Sequence, residues 1–416
     1  MKSRHNPPGE SDFRVFIIRK GDRRLKKVLV WETLATVSGG QKMTLTVLDM
    51  LSGQCEFCCL IPKEGMLSEE LRKRNIPYIL MGDQTLPTGV KGWQVVFRYG
   101  WMSLKNVYKS LKAIRAFNPD ILYCPGPAAL PWSAICGSLT GRPVIWHLHH
   151  IFLDGATKKL LNLCGKWKSV RTIIAVSNCV GDQIVNEKAH RKIKVLYNPV
   201  DVEKYANGNP DKILAEVEKA LGRQLVRDDE LVIGHIALIQ DSKKQTFTLE
   251  VIHALREKGY DVVGLFAGEC RDPQYMEMIQ KTMKQFGLEQ SVAFLGRRND
   301  IPDLLKLVDV LIIPSSFEGF PLAGLEAAAA GVPVAACDVG GAKEFVQVSG
   351  DGVFFQEDNV SEAASGIVQC QVRKDEYGIK GVNFAKMQSA IEFRQKISDC
   401  FQQNELCHKT DEITLC

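Results

Sequence analysis

A strand that ends in a glycine–proline loop, opens onto a helix and returns as a second strand leaves few folds open. One stretch of this 416-residue chain has that form. Val308-Asp309-Val310-Leu311-Ile312-Ile313 is a short β-branched run that reads as a buried strand. Pro314 to Val346 then reads PSSFEGFPLAGLEAAAAGVPVAACDVGGAKEFV. Ser315 and Ser316 break the strand pattern, and Gly319 and Pro321 make a tight loop. Leu322 to Ala330 contains strong helix formers. Gly331 and Pro333 stop the helix, and Val332 to Ala336 reads as the returning strand.

A helix N-terminus carries unpaired N–H groups and the positive end of the helix dipole. Glu318-Gly319-Phe320-Pro321-Leu322 therefore suits an anionic ligand, most simply a phosphate, and the small Ala323 and Gly324 allow it close. Two carboxylates flank this seat, Glu318 on the loop and Glu326 two turns along the helix. Carboxylates beside a phosphate suit sugar hydroxyls, as the acidic residue of a dinucleotide site suits the ribose. The plainer reading makes Glu318 a helix cap and leaves Glu326 facing solvent. The Glu-x7-Glu pair, the Glu-Gly-Phe-Pro loop, the Leu-Glu-Ala run and the Gly-Val-Pro-Val strand resemble the donor site of glycosyltransferase family 4. Members of that family are retaining enzymes of the GT-B fold.

Length allows two ordinary domains. A content of 45% hydrophobic and 24% charged residues fits a globular protein. No apolar run approaches the ~20 residues that span a bilayer, and Val15 to Ile18 is too short for a signal-peptide core, so a cytoplasmic location is expected. The cysteines are scattered. Cys55, Cys58 and Cys59 have no partner pair at zinc spacing, so they read as buried thiols. Charge is uneven. Met1 to Val200 holds 30 Lys and Arg against 14 Asp and Glu, a balance of +16, and the rest of the chain holds 23 against 34, a balance of −11. A basic half attracts phosphates, anionic lipid or nucleic acid.

Residues 1–24 are polar and without period, a loose extension. Val28 to Trp31 reads as the first strand, and Gly39-Gly40 joins it to a helix from Met43 to Leu51. Phe57–Ile61, Tyr78–Leu80 and Asp120–Cys124 read as further strands, with a helix over Leu67–Lys73. This alternation predicts a parallel sheet covered by helices on both faces. Between Gly92 and Phe117 lie Trp93, Phe97, Tyr99 and Trp101. Leu104, Val107, Tyr108, Leu111 and Ile114 follow at helical spacing, with Lys105, Lys109, Lys112 and Arg115 beside them. The stripe reads either as a core-facing helix with a solvated basic face or as a helix on an anionic membrane. His147, His149 and His150 close a strand from Pro143. Their spacing puts them on different faces, against a metal site.

Residues 202–230, charged and turn-rich, read as the linker. Leu231–Ala237 opens a second sheet, and the loop Leu238–Lys244 precedes a helix from Thr246. Val262–Gly268 and Val292–Gly296 read as further strands. Ala385 to Phe401 is the last periodic segment, which the resemblance to GT-B proteins implies is a helix crossing back to the first domain, and residues 402–416 read as a frayed tail.

The resemblance implies roles for several of these residues. Gly39 and Gly40 would open onto acceptor and donor phosphates. A histidine at the strand end faces the transferred sugar, preferably His149 over His147. The 238–244 loop carries an Arg and a Lys toward the diphosphate; Leu238 stands where the Arg is expected, and Lys243 fits the lysine position slightly better than Lys244. Arg297 would neighbour the nucleotide base. Asp338 to Gly341 and Glu344 resemble a supporting turn. Glu318 would hold sugar hydroxyls and Glu326 the ribose.

The expected architecture is thus α/β, two doubly wound Rossmann-like domains facing across a cleft: residues 25–201 binding the acceptor and 202–384 binding the donor. The expected activity is transfer of a sugar, with retention, from a nucleotide-diphosphate sugar to a hydroxyl on a glycan or lipid-linked acceptor in cell-surface polysaccharide or lipid-linked glycan assembly. No Asp-x-Asp clamp stands out, so no cofactor and no metal are expected. Nor is a nucleic-acid partner, while contact with an anionic inner membrane surface stays open. A non-catalytic nucleotide-sugar-binding subunit, to which Leu238 points, and a sugar-nucleotide epimerase are the alternatives.

Overall fold

The computed structural model describes residues 25–82, 93–226 and 229–403, with backbone alone for 93–99. The extension 1–24, most of the 402–416 tail and the side chains of Trp93, Phe97 and Tyr99 lie outside the described residues.

Two parallel sheets organise the chain. The first contains β1 (Lys26–Trp31), β2 (Cys55–Ile61), β3 (Tyr78–Leu80), β4 (Ile121–Cys124), β5 (Val144–Leu148), β6 (Val170–Ala175) and β7 (Ile193–Val195), in the order β3-β2-β1-β4-β5-β6-β7. The second contains β8 (Leu231–Ile236), β9 (Val262–Ala267), β10 (Val292–Phe294), β11 (Val310–Ile313), β12 (Val334–Cys337) and β13 (Gly352–Phe355), in the order β10-β9-β8-β11-β12-β13. Both orders reverse once, at β1/β4 and at β8/β11. Ligands of doubly wound sheets bind outside the strand ends at such a reversal, and the two reversals face each other.

The central strands are buried on both faces, as parallel strands between helices must be, and the edge strands β3, β7 and β13 are partly exposed. In β1, Val28 and Val30 enter one core cluster while Leu29 and Trp31 enter another. The Leu29 side runs unbroken into the second domain, through Val180, Val200 and Phe320 to Phe345. Cys55, Cys58 and Cys59 are buried in β2, and burial pushes the Cys55 thiol up to about 11 and Cys58 to about 12.

Three segments differ from the sequence expectation. Within 202–230 two helices form, Val202–Ala206 and Asp211–Leu221. Tyr205, Ile213, Val217 and Leu221 bury their side chains, so this stretch is packed structure as well as a connection. The crossing-back segment is broken. One helix, Lys374–Met387, stays with the second domain, and a new one, Ala390–Gln402, starts at Ser389, whose hydroxyl accepts the Glu392 N–H. That second helix buries Phe393, Ile397, Cys400 and Phe401 against the first sheet. Finally, the helix Trp93–Phe117 divides its apolar stripe: Leu104 and Tyr108 turn outward at 70% and 65% exposure, while Val107, Leu111 and Ile114 pack on the core beside buried Asn106 and Ser110. The inward Ser110 hydroxyl accepts the indole N–H of Trp31 at 3.1 Å. A buried tryptophan needs such a partner.

Candidate active site

The loops at the two reversals enclose a cavity of about 490 Å³, within the usual range for small-ligand sites, roughly 300–1,000 Å³. The first domain contributes Gly39, Gly40, Lys42, His149 and His150, and the second contributes Leu238, Lys243, Arg297, Glu318 to Leu322 and Glu326.

The floor is the turn after β11. Ser316 N–H donates to the Ser242 carbonyl at 3.1 Å, tying this loop to the one after β8. Pro321, which has no N–H, occupies the N-cap of the helix Leu322–Ala330. The N–H groups of Gly319, Phe320, Leu322 and Ala323 make no hydrogen bond within the described chain. Four unpaired donors at the positive end of a helix dipole form an anion seat. Opposite, the helix Gly39–Leu51 also points its start at the cleft: Gly39 abuts Leu322, and the N–H groups of Gly39 and Gly40 are likewise unbonded. Gly319 has a steric reason to be glycine, because a Cβ there would lie 2.2 Å from the His149 carbonyl oxygen.

Glu318 does not cap the helix. Its carboxylate pairs with Lys243 Nζ at 2.5 Å, both side chains being mostly buried. Lys244 adopts a left-handed backbone, φ +53°, and directs its ammonium to Glu357 and Asp358 at 2.7 and 2.6 Å. Of the two lysines left open by the sequence, only Lys243 lines the cavity. Leu238 lines it as a neutral side chain. Glu326 faces the cavity from the second helical turn and does not look out to solvent. Burial raises its carboxyl above the usual carboxylate range, against the Tyr205 hydroxyl bonded to it and nearby Lys42 and Lys204. Arg297 sits at the rim, exposed, with Nη1 3.2 Å from Met66 Sδ of the other domain.

His147 and His149 stack inward from the end of β5, with His150 exposed beside them. His147 Nδ1 lies 2.6 Å from the Tyr123 hydroxyl, and the His149 ring is 4.1 Å from that of His147. Burial lowers His147 to about 3, and burial with its two histidine neighbours lowers His149 well below the ordinary value. His149 Nε2 is buried without a partner among the described residues. His150 stands beside Gly40. Loss of solvation lowers it, Lys243 lowers it further, and Glu318 opposes them. Neutral imidazoles, which can accept as well as donate hydrogen bonds, thus meet the Glu318–Lys243 pair. The sequence reading gave His150, Lys42 and Tyr205 no role in the site. Lys42 follows directly on the glycine pair and was legible, whereas Tyr205 lay in a stretch read as linker.

A family model described as Glycosyl transferases group 1 matches residues 217–371, and one described as Glycosyltransferase Family 4 matches residues 37–204. The chain belongs to glycosyltransferase family 4. A UDP-Gal:alpha-D-GlcNAc-diphosphoundecaprenol alpha-1,3-galactosyltransferase of Escherichia coli is 28% identical over 358 residues, spanning 82% of this chain and 87% of the relative. An N-acetyl-alpha-D-glucosaminyl L-malate synthase of Bacillus anthracis is 25% identical over 294 residues, spanning 68% and 72%. Among solved structures, Anabaena HepE in complex with UDP-glucose superposes with a TM-score of 0.75 at 20% identity, covering 91% of this chain and 99% of that one. The architecture is GT-B, and this family-4 chain is a glycosyltransferase.

Proposed function

We propose that this glycosyltransferase moves a sugar from a nucleoside-diphosphate sugar to an acceptor hydroxyl with retention of anomeric configuration. The observation that carries this reading is the convergence of two helix N-termini, with unbonded amides at Gly39, Gly40, Gly319, Phe320, Leu322 and Ala323, on one cavity that also holds Lys243. As the anomeric C–O bond to the diphosphate breaks, negative charge develops on the leaving phosphate. Preorganised donors in a desolvated site are worth most at that moment. The acceptor oxygen bonds the anomeric carbon on the face the diphosphate leaves, and its proton passes to a leaving phosphate oxygen. Glu318 holds sugar hydroxyls, Glu326 the ribose, and the neutral His149 and His150 the sugar side of the cleft. The two glutamates are not an acid and nucleophile pair of the glycosidase kind. Charge compensation by amides and Lys243 makes the reaction metal-independent.

A uridine diphosphate sugar is the first donor to test, since both the E. coli relative and the Anabaena complex are named for one. Purified enzyme should transfer sugar from such a donor in the presence of EDTA. Glu318→Ala should lower kcat at least ~100-fold, the order expected for losing a transition-state contact. Undiminished turnover by that variant would refute the assignment.

The acceptor is lipid-linked, and the enzyme works at an anionic bilayer. The helix Trp93–Phe117 holds Trp101 at 77%, Leu104 at 70% and Tyr108 at 65% exposure, with Lys105, Lys112 and Arg115 exposed beside them. From Trp101 to Arg171 the chain has 10 Lys and Arg against 2 Asp and Glu. Aromatic and leucine side chains amid lysines match the interface of a negatively charged membrane. Vesicles containing phosphatidylglycerol should co-float with the enzyme, and Trp101→Glu with Tyr108→Glu should abolish this. Equal recovery with neutral vesicles would count against it.

A further inference from the structure

The supporting turn before Glu344 does more than fill space beneath the cavity. Gly341 N–H donates to the Glu318 carbonyl at 2.8 Å, and the Ser177 hydroxyl donates to the Gly319 carbonyl at 2.6 Å. Ser177 belongs to the first domain, at the start of a short helix, Asn178–Gly181, and the turn belongs to the second. A trans peptide is planar, with its C=O and N–H pointing opposite ways. Pinning the carbonyls of Glu318 and Gly319 on one side therefore fixes the N–H groups of Gly319 and Phe320 on the other. Those two N–H groups are among the unbonded donors of the cavity.

Glu344, from the helix Gly340–Ser349 of the second domain, reaches across to the same place. Its carboxylate accepts the backbone N–H groups of Asn178 and Cys179 at 2.7 and 2.8 Å and the Tyr197 hydroxyl at 2.9 Å. The Tyr197 ring stacks on Phe320, centroids 4.7 Å apart. Every one of these contacts except Gly341 to Glu318 joins one domain to the other; Gly341, Ser177 and Tyr197 meet residues 318–320 directly, and Glu344 holds the segment that carries Ser177 and the Tyr197 hydroxyl.

We infer that Ser177 and Glu344 are positioning residues, forming a clasp that sets the amides of the donor turn only when the two domains close. The inference rests on the donor reading above and adds how that seat is assembled. An open cleft leaves the Gly319 carbonyl unheld and its peptide free to turn; a closed one locks it. Closure and readiness for transfer are thereby one event, which keeps a bound donor from reacting before the acceptor domain is in place.

The test compares wild type, Ser177→Ala, Ser177→Thr and Glu344→Gln, each checked by thermal melting. Threonine retains the hydroxyl. Glutamine places an N–H group against backbone donors. In Ser177→Ala and Glu344→Gln, kcat should fall about tenfold while the donor KM rises by a similar factor, because both depend on the closed fraction. Ser177→Thr should restore both to within threefold. Solution X-ray scattering should show a larger radius of gyration for Glu344→Gln than for wild type with UDP present. A merely structural role would lower the melting temperature with kcat per folded molecule unchanged, and that result overturns the inference, as does an unchanged scattering curve. Failure of wild type to bind UDP in calorimetry would refute the donor reading instead. The scattering difference would then decide the clasp by itself.

Discussion

At the scale of single residues, the buried histidines make the fold pH-dependent in one direction. His147 and His235 are each lowered to about 3 by burial, from an ordinary value near 6.5. Between those values the unfolded chain carries a proton on each ring and the folded chain does not. Stability is complete above pH 6.5 and is lost as pH falls, by up to ~1.4 kcal/mol per pH unit per ring. Going from pH 7 to pH 5, wild type should lose about 2 kcal/mol more than His147→Gln, measured by urea unfolding. Parallel losses in the two proteins would show that His147 takes no part. Asp351 has the opposite sign. Burial raises its carboxyl to about 8, and Oδ2 has no partner among the described residues. The folded chain holds that proton where the unfolded one has lost it, so stability falls as pH rises from about 4 to 8. Asp351→Asn should therefore raise the melting temperature more at pH 8 than at pH 5.

Among elements, the two sheets were readable because period and punctuation agree. Short β-branched runs alternate with helical segments, and Gly or Pro marks many of the junctions, as at Gly319, Pro321, Gly331 and Pro333. The turn after β11 was legible for the same reason. The helix Trp93–Phe117 was left between two readings, and its stripe divides between them: Val107, Leu111 and Ile114 pack on the core while Leu104 and Tyr108 face out. The inner face is chosen by Trp31, whose N–H needs an acceptor, and Ser110 supplies it. No local pattern reveals a demand made by a strand 79 residues away. Ser110→Ala leaves that N–H unpaired in the core and should cost roughly 1–3 kcal/mol, whereas Leu104→Ala on the outer face should change stability by less than ~0.5 kcal/mol. Equal effects in denaturant titrations would contradict the orientation. The domain-to-domain bonds of Ser177 and Glu344 were illegible for a related reason. Their partners lie 142 and 166 residues away and meet only after both domains form.

Across the whole molecule, the chain passes between domains twice, and the two passages run side by side. Val200 N–H donates to the Gln388 carbonyl at 3.0 Å, and Val200 bridges Ser389 in parallel. Beyond that point the helix Ala390–Gln402 returns to cover the face of the first sheet with Phe393, Ile397, Cys400 and Phe401. Burying four such side chains is worth roughly 6–12 kcal/mol at about 1.5–3 each, comparable to the net stability of a whole domain. A chain cut after Gln388 should lose the cooperative unfolding of its first domain in calorimetry and bind a hydrophobic dye. A sharp transition there would refute the estimate. During synthesis the order is then forced. The half made first waits with a bare wall until the helix Ala390–Gln402 emerges from the ribosome, and whatever shields that wall in the interval sets the yield of enzyme as surely as any residue in the cleft.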